Sequence, residues 1–269
     1  MNDIVININP VALQIGHFAL RWYSLIIMLA VIAAVLIAVR EAKRKGLSPA
    51  EIYNLLPWVL ISGFVGARLF HVVDQWEYYA SNPLQIIQFQ QGGLAIWGAL
   101  AGGLAAAVIY ARIRHLSLGS LADIAVPALL VAQIIGRFGC IINGDVAGGA
   151  TSLPWGFVYI NPNSMILQNL YGVSTHPYPV YEMLWNMAVL LIILRLRHRL
   201  TKDGLLFLSY LSLYSVGRFA LTFVRNENTM FWGLQEAQVV AIVVFVVSIA
   251  MFVYLLRKPK RVVSPTIAA

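Results

Sequence analysis

Apolar residues fill this chain in seven long blocks separated by short polar breaks: Phe18–Val39, Ile52–Val73, Gly93–Ala111, Leu121–Ile142, Pro177–Leu194, Leu205–Val224 and Ala237–Leu256. A helix crosses a bilayer with roughly 17–25 mostly apolar residues, which each block supplies. The pattern predicts an all-α, polytopic membrane protein with seven transmembrane helices. The breaks carry helix-start signals. Ser48-Pro49-Ala50-Glu51 reads as a capping box with proline at the first helical position, and Ser120-Leu121-Ala122-Asp123 repeats it, so Glu51 and Asp123 are expected to cap helices. Small residues dominate Gly92–Gly103, as close helix packing in lipid requires. Asn143–His176, 34 residues long, is the one extended polar connection. It predicts a small head lying on the membrane between the fourth and fifth spans.

Composition agrees. The chain of 269 residues is 60% hydrophobic and 11% charged, against about 25% charged in soluble domains. Such a chain reads as a single integral-membrane domain over residues 1–269, without a cleaved signal peptide at Met1-Asn2-Asp3. Its formal charge of +8 suggests nucleic acid only until the charges are placed. Fourteen of the 19 basic residues fall in four clusters, at residues 40–45, 112–114, 195–202 and 257–261, each after an odd-numbered span. By the positive-inside rule the N-terminus is outside and the C-terminus, with a basic tail over 257–269, is cytoplasmic. Nucleic acid is not an expected partner. The single cysteine, Cys140, permits no internal disulfide. The five histidines (17, 71, 115, 176 and 198) are scattered without metal-ligand spacing, so neither metal nor cofactor is expected.

Five arginines remain: Arg21, Arg68, Arg137, Arg218 and Arg225. All lie in or at the ends of apolar blocks, where arginine is costly and tends to mark function. At 1.5 Å per residue, Arg21, Arg68, Arg137 and Arg218 fall roughly 5–9 Å inside the outer boundary, and Arg225 lies at it. Arg218 and Arg225, seven apart, are expected on one helix face. Snorkelling to the headgroups would explain Arg21 and Arg225, but snorkelling does not favour Arg over Lys, and no Lys occurs at this depth. The planar guanidinium fork suits phosphate. The arginines therefore predict a phospholipid phosphate site at the outer leaflet. Glycines and alanines around Arg137, in 136–148, predict packing around a headgroup and a helix that loosens as it leaves the membrane.

Gly136-Arg137-Phe138-Gly139, followed by Asn143-Gly144-Asp145 and Gly148, resembles the signature of the bacterial phosphatidylglycerol–prolipoprotein diacylglyceryl transferases. Arg21-Trp22-Tyr23, Gly66-Ala67-Arg68-Leu69, Gly92-Gly93-Leu94-Ala95-Ile96, His176-Pro177 with Tyr181-Glu182, and the pair Arg218 and Arg225 fit the same family, in order from about residue 10 to 256. The resemblance implies a multi-pass protein of the bacterial plasma (inner) membrane. It would move the diacylglyceryl group of phosphatidylglycerol onto the lipobox cysteine of a preprolipoprotein signal peptide. The resemblance implies Arg137, Arg218 and Tyr23 as catalytic residues, and Arg137, Asn143, Asp145, Gly148, Arg225 and Arg68 as phosphatidylglycerol ligands. Trp97 stands where many members carry a histidine proposed to activate the thiol. Cys140 replaces the usual asparagine, Asp145 the commoner glutamate, and Thr222 an acid between the two arginines. His71, His176 and Asp145 are the candidate substitute bases. The competing class is a transporter or flippase for an anionic lipid or anion. It is disfavoured because the unusual charge lies in the outer half alone.

Overall fold

The structure, a computed structural model, describes residues 3–16, 18–88, 92–225, 229–231 and 233–258. His17 and the basic tail beyond Lys258 lie outside the described residues. Among the described residues seven helices are long and apolar enough to cross a membrane: α1 (Trp22–Arg44), α2 (Pro49–Asp74), α4 (Ile96–Ile113), α5 (Leu118–Asn143), α6 (Tyr178–Leu196), α7 (Leu205–Thr222) and α8 (Glu236–Arg257). An additional short helix, α3 (Trp76–Ser81), follows α2. The chain is not all-α. Among the described residues it adds seven short strands in three small sheets, β1 (Ile4–Ile6), β2 (Val11–Ile15), β3 (Phe18–Arg21), β4 (Phe157–Tyr159), β5 (Ser174–Thr175), β6 (Thr229–Phe231) and β7 (Leu234–Gln235). By internal contacts the chain divides into two compact units, Ala38–Ile124 and Met1–Ile37 with Ala125–Ala269.

The unit Ala38–Ile124 is built on α2 against α4. A Cβ on Gly98 would overlap the backbone carbonyl of Gly66, and one on Gly102 that of Ser62. The helices thus meet backbone to backbone, as small residues permit in lipid. Ser48 caps α2, accepting the Ala50 N–H at 3.3 Å, with Pro49 first in the helix. Glu51, expected to close a capping box, instead turns to Tyr110 (2.7 Å) and Arg114 (2.6 Å). The α5 helix starts at Leu118, earlier than its sequence suggested, with Ser117 Oγ accepting the Ser120 N–H. Asp123, freed from capping, pairs with Lys45 at 2.7 Å.

In the other unit, α5, α6 and α7 pack around Val126, Leu130, Ile134, Val189, Ile193 and Leu206. Trp185 lies in the space that Gly217 leaves on α7 and donates to the Leu213 carbonyl at 3.1 Å. Ser212 meets Ser248 across α7 and α8 at 2.8 Å. Residues 144–177 form a head stitched by β4 and β5. The N-terminal strand β1 joins its sheet, running parallel to β4 with Ile4 beside Phe157. Tyr159 is buried here. That burial, with Asp145 and Cys140 adding to it, pushes its hydroxyl above the ordinary phenol range, so it stays neutral.

Candidate active site

Chain geometry brings three of the five arginines to one carboxylate. Arg137 lies on α5, one and a half turns before the helix ends. Arg218 is on α7. Arg225 follows α7, in the turn closed by its N–H to the Thr222 carbonyl at 3.0 Å. It is therefore not on a shared helix face with Arg218, because α7 ends at Thr222. Glu182, on α6 and 5% exposed, is paired with Arg137 at 2.7 Å and Arg218 at 3.5 Å and lies in the field of Arg225 as well. Tyr178, one turn before Glu182, donates no charge but organises two of the cations. Its hydroxyl accepts from Arg218 at 2.7 Å, and its ring carries the Arg225 guanidinium 5.3 Å from its centre.

Guanidinium forks from α5, from α7 and from the turn after it so converge on Glu182 in a largely apolar setting, where cations are costly unless paired. Such forks suit a phosphate. Thr222, where an acid was noted as missing, folds its hydroxyl back to the Arg218 carbonyl at 2.5 Å. Glu182 supplies a carboxylate 3.5 Å from Arg218. In the sequence Glu182 stood out only within the family signature, and Tyr178 did not stand out at all. Their spacing of four on α6, matched by Tyr214 and Arg218 on α7, is the available signal.

The surrounding residues hold this cluster in place. Arg21 ends β3 rather than lying inside α1, which begins at Trp22 and not at Phe18. Its guanidinium is 3.4 Å from the Asn143 side chain, which is 6% exposed. Helix α5 does not loosen over 136–143. It stays helical to Asn143 and ends at Gly144, whose φ of 80° suits glycine. Gly136 and Gly139 do not surround a headgroup: they face α1 and receive Ile27 and Tyr23, a Cβ on Gly139 coming within 2.9 Å of the Tyr23 ring. Tyr23 so lies within electrostatic reach of Arg137, Cys140 and Asp145. Cys140 Sγ is 3.7 Å from Arg137. Gly148 has no room for a side chain between His176 and the Val224 carbonyl, and its N–H donates to the His176 carbonyl at 3.0 Å. It ties the head to the start of α6 and the exit of α7. His176 sits just before α6, its ring 3.4 Å from the Tyr181 hydroxyl.

Arg68 belongs to the α2–α4 unit, and its guanidinium is differently used. All five of its N–H donors go to backbone carbonyls, of Gln85, Ile86, Gln88, Gly92 and Gly93, at 2.5–3.4 Å. Trp97, at the start of α4, is half exposed. No metal-binding group of His, Cys, Asp and Glu exists among the described residues.

The family model for prolipoprotein diacylglyceryl transferase matches residues 10–254. The chain belongs to the prolipoprotein diacylglyceryl transferase family. It is 35% identical over 256 residues to the phosphatidylglycerol–prolipoprotein diacylglyceryl transferase of Clostridioides difficile (strain 630), covering 95% of this chain and 99% of that protein. The enzyme of the same name in Lysinibacillus sphaericus (strain C3-41) is 37% identical over 259 residues, 94% of each chain. That of Dehalococcoides mccartyi (strain BAV1) is 38% identical over 257 residues, 95% of this chain and 97% of the other. In this member of the diacylglyceryl transferase family the arginine–glutamate cluster sits on α5, α6 and α7, well inside the matched region.

Proposed function

We propose that this protein transfers the diacylglyceryl group of phosphatidylglycerol to the lipobox cysteine thiol of a preprolipoprotein. It would do so as one transferase domain over residues 1–269, in the bacterial plasma membrane. The site and the head then face the outer leaflet, and the C-terminus is cytoplasmic, in keeping with the placement of the basic clusters. The observation that carries the reading is the convergence of Arg137, Arg218 and Arg225 on Glu182 and Tyr178.

The thiolate sulfur attacks the glyceryl carbon bonded to the phosphate oxygen. A C–S thioether bond forms, the C–O bond breaks, and its electron pair leaves on glycerol phosphate. Arg137 and Arg225 hold the phosphate. Arg218, steadied by Tyr178 and Glu182, stabilises the charge that grows on the leaving oxygen, without having to reorganise first. Tyr23, Asn143 and Asp145 supply polar support, and Gly148 fixes the backbone above. Trp97 carries no titratable proton. In our reading the positive field of the cluster itself favours the thiolate over the thiol. Arg68, expected among the headgroup ligands, is left out of this phosphate site because its donors are committed.

The test is a transfer assay with phosphatidylglycerol and a lipobox peptide. Transfer to the Cys peptide and none to its Ser version is expected. Arg137→Ala should lower kcat by about 10²–10³ or more with an unchanged helical circular dichroism spectrum. Full activity of that variant overturns the assignment.

A further inference from the structure

Arg21 leaves most of its guanidinium fork unused. It ends β3, two residues before Tyr23, and is half-buried. One of its five N–H groups donates to Asn143 Oδ1, at 3.4 Å, a long bond. Among the described residues its other donors meet no acceptor, and no carboxylate pairs with it. Arg68, by contrast, gives every donor to a carbonyl, and Arg137 and Arg218 share Glu182.

The acceptor of that one bond is fixed in place. Asn143 is the last residue of α5 and is 6% exposed. Its carbonyl accepts the Met165 N–H at 2.8 Å, and its side-chain amide lies 3.4 Å from the Met165 sulfur. Arg21 is thus anchored beyond Arg137 along α5, about 9 Å nearer the head. Asp145, two residues further on, is exposed, and among the described residues no cation pairs with its carboxylate. On the head side of the arginine–glutamate cluster stand a cation with free donors and a carboxylate with free acceptors.

Transfer changes the charge that the cluster must release. Phosphatidylglycerol presents a phosphodiester with a single negative charge. Glycerol phosphate leaves as a monoester, which carries about −1.5 to −2 at pH 7. It has no acyl chains, and an anion in hydrocarbon is costly, so its way out is to water, past the head. The cluster attracts this product more strongly than the lipid it came from, and a second cation further out offsets that pull.

We infer that Arg21 is an exit station for glycerol phosphate. Its free N–H groups take the phosphate as it leaves the cluster, Asn143 anchors the guanidinium, and the Asp145 charge repels the anion onward into water. The ligand's identity rests on the transfer reading, but binding at the station needs no turnover. The lipid headgroup shares the phosphate chemistry, so lipid and product are tested separately.

The experiment uses the full chain in detergent micelles, with racemic glycerol phosphate as the titrant in calorimetry. Arg137→Ala should still bind it. Adding Arg21→Gln to that variant should weaken binding about tenfold, the loss of one charge-assisted hydrogen bond. Adding Asp145→Asn instead should tighten it about threefold, a readout that stands whether or not the Gln variant folds. In turnover, Arg21→Gln alone should raise the inhibition constant of added glycerol phosphate about tenfold and leave KM for phosphatidylglycerol within about twofold. Binding lost with Arg137→Ala alone, binding indifferent to Arg21→Gln or to Asp145→Asn, or a raised KM for phosphatidylglycerol at an unchanged inhibition constant would each overturn the inference. Arg21-dependent binding without any transfer would support the station and sink the transfer reading instead.

Discussion

At the scale of single residues, the site turns on Glu182. Its carboxylate holds Arg137 and Arg218 apart from each other's repulsion and keeps both aimed at one place. Glu182→Gln keeps the shape and removes the charge. The headgroup then loses an internal competitor while the arginines lose their fixed geometry. We expect KM for phosphatidylglycerol to fall and kcat to fall about tenfold, a split that steady-state kinetics in mixed micelles reads directly. Tyr178→Phe deletes the 2.7 Å bond to Arg218 but keeps the ring beneath Arg225. Its kcat should drop by about tenfold, matching the roughly 1–1.5 kcal/mol of one hydrogen bond, with little change in KM; an unchanged kcat would remove Tyr178 from the machinery. The arginines were legible because arginine in an apolar block breaks a strong compositional rule. Their shared counter-ion was not, because a lone acid near a helix start reads as ordinary capping.

At the scale of elements, the helices α2 and α4 are held by absence of side chains. Gly66 and Gly98 meet through their backbones, so a branched residue at either forces the helices apart. Gly98→Val should cost about 1–3 kcal/mol or more, seen as a lowered midpoint in thermal unfolding in detergent, whereas Gly46→Ala, at a turn glycine with open space around it but φ of 76°, tests strain without packing. Close packing of α4 was foreseen from its run of small residues, but its partner on α2 was not. The cap of α2 was foreseen in place but that of α5 was not: Glu51 sits where a capping acid belongs, Asp123 lies inside a helix that starts earlier, and long-range cations take both. Local patterns name a helix start well, and they cannot see a lysine 78 residues away. The strands escaped notice for the same reason. Segments of two to five residues have no period long enough to separate them from loop.

At the scale of the whole molecule, the seven spans were legible to within a few residues, since length and apolarity decide them. Orientation rests on the four basic clusters. With Cys140 buried, a membrane-impermeant maleimide should label Asn163→Cys in intact spheroplasts and Lys43→Cys only after permeabilisation; the reverse order would invert the topology. One consequence of the head concerns time rather than space. Strand β1 is made before β4 and finds it only when Phe157 to Tyr159 have left the ribosome. At 5–20 residues per second that is a wait of roughly ten to thirty seconds, during which four spans enter the bilayer. Strand β1 is therefore an unpaired ribbon for that interval, waiting on a partner made long after it.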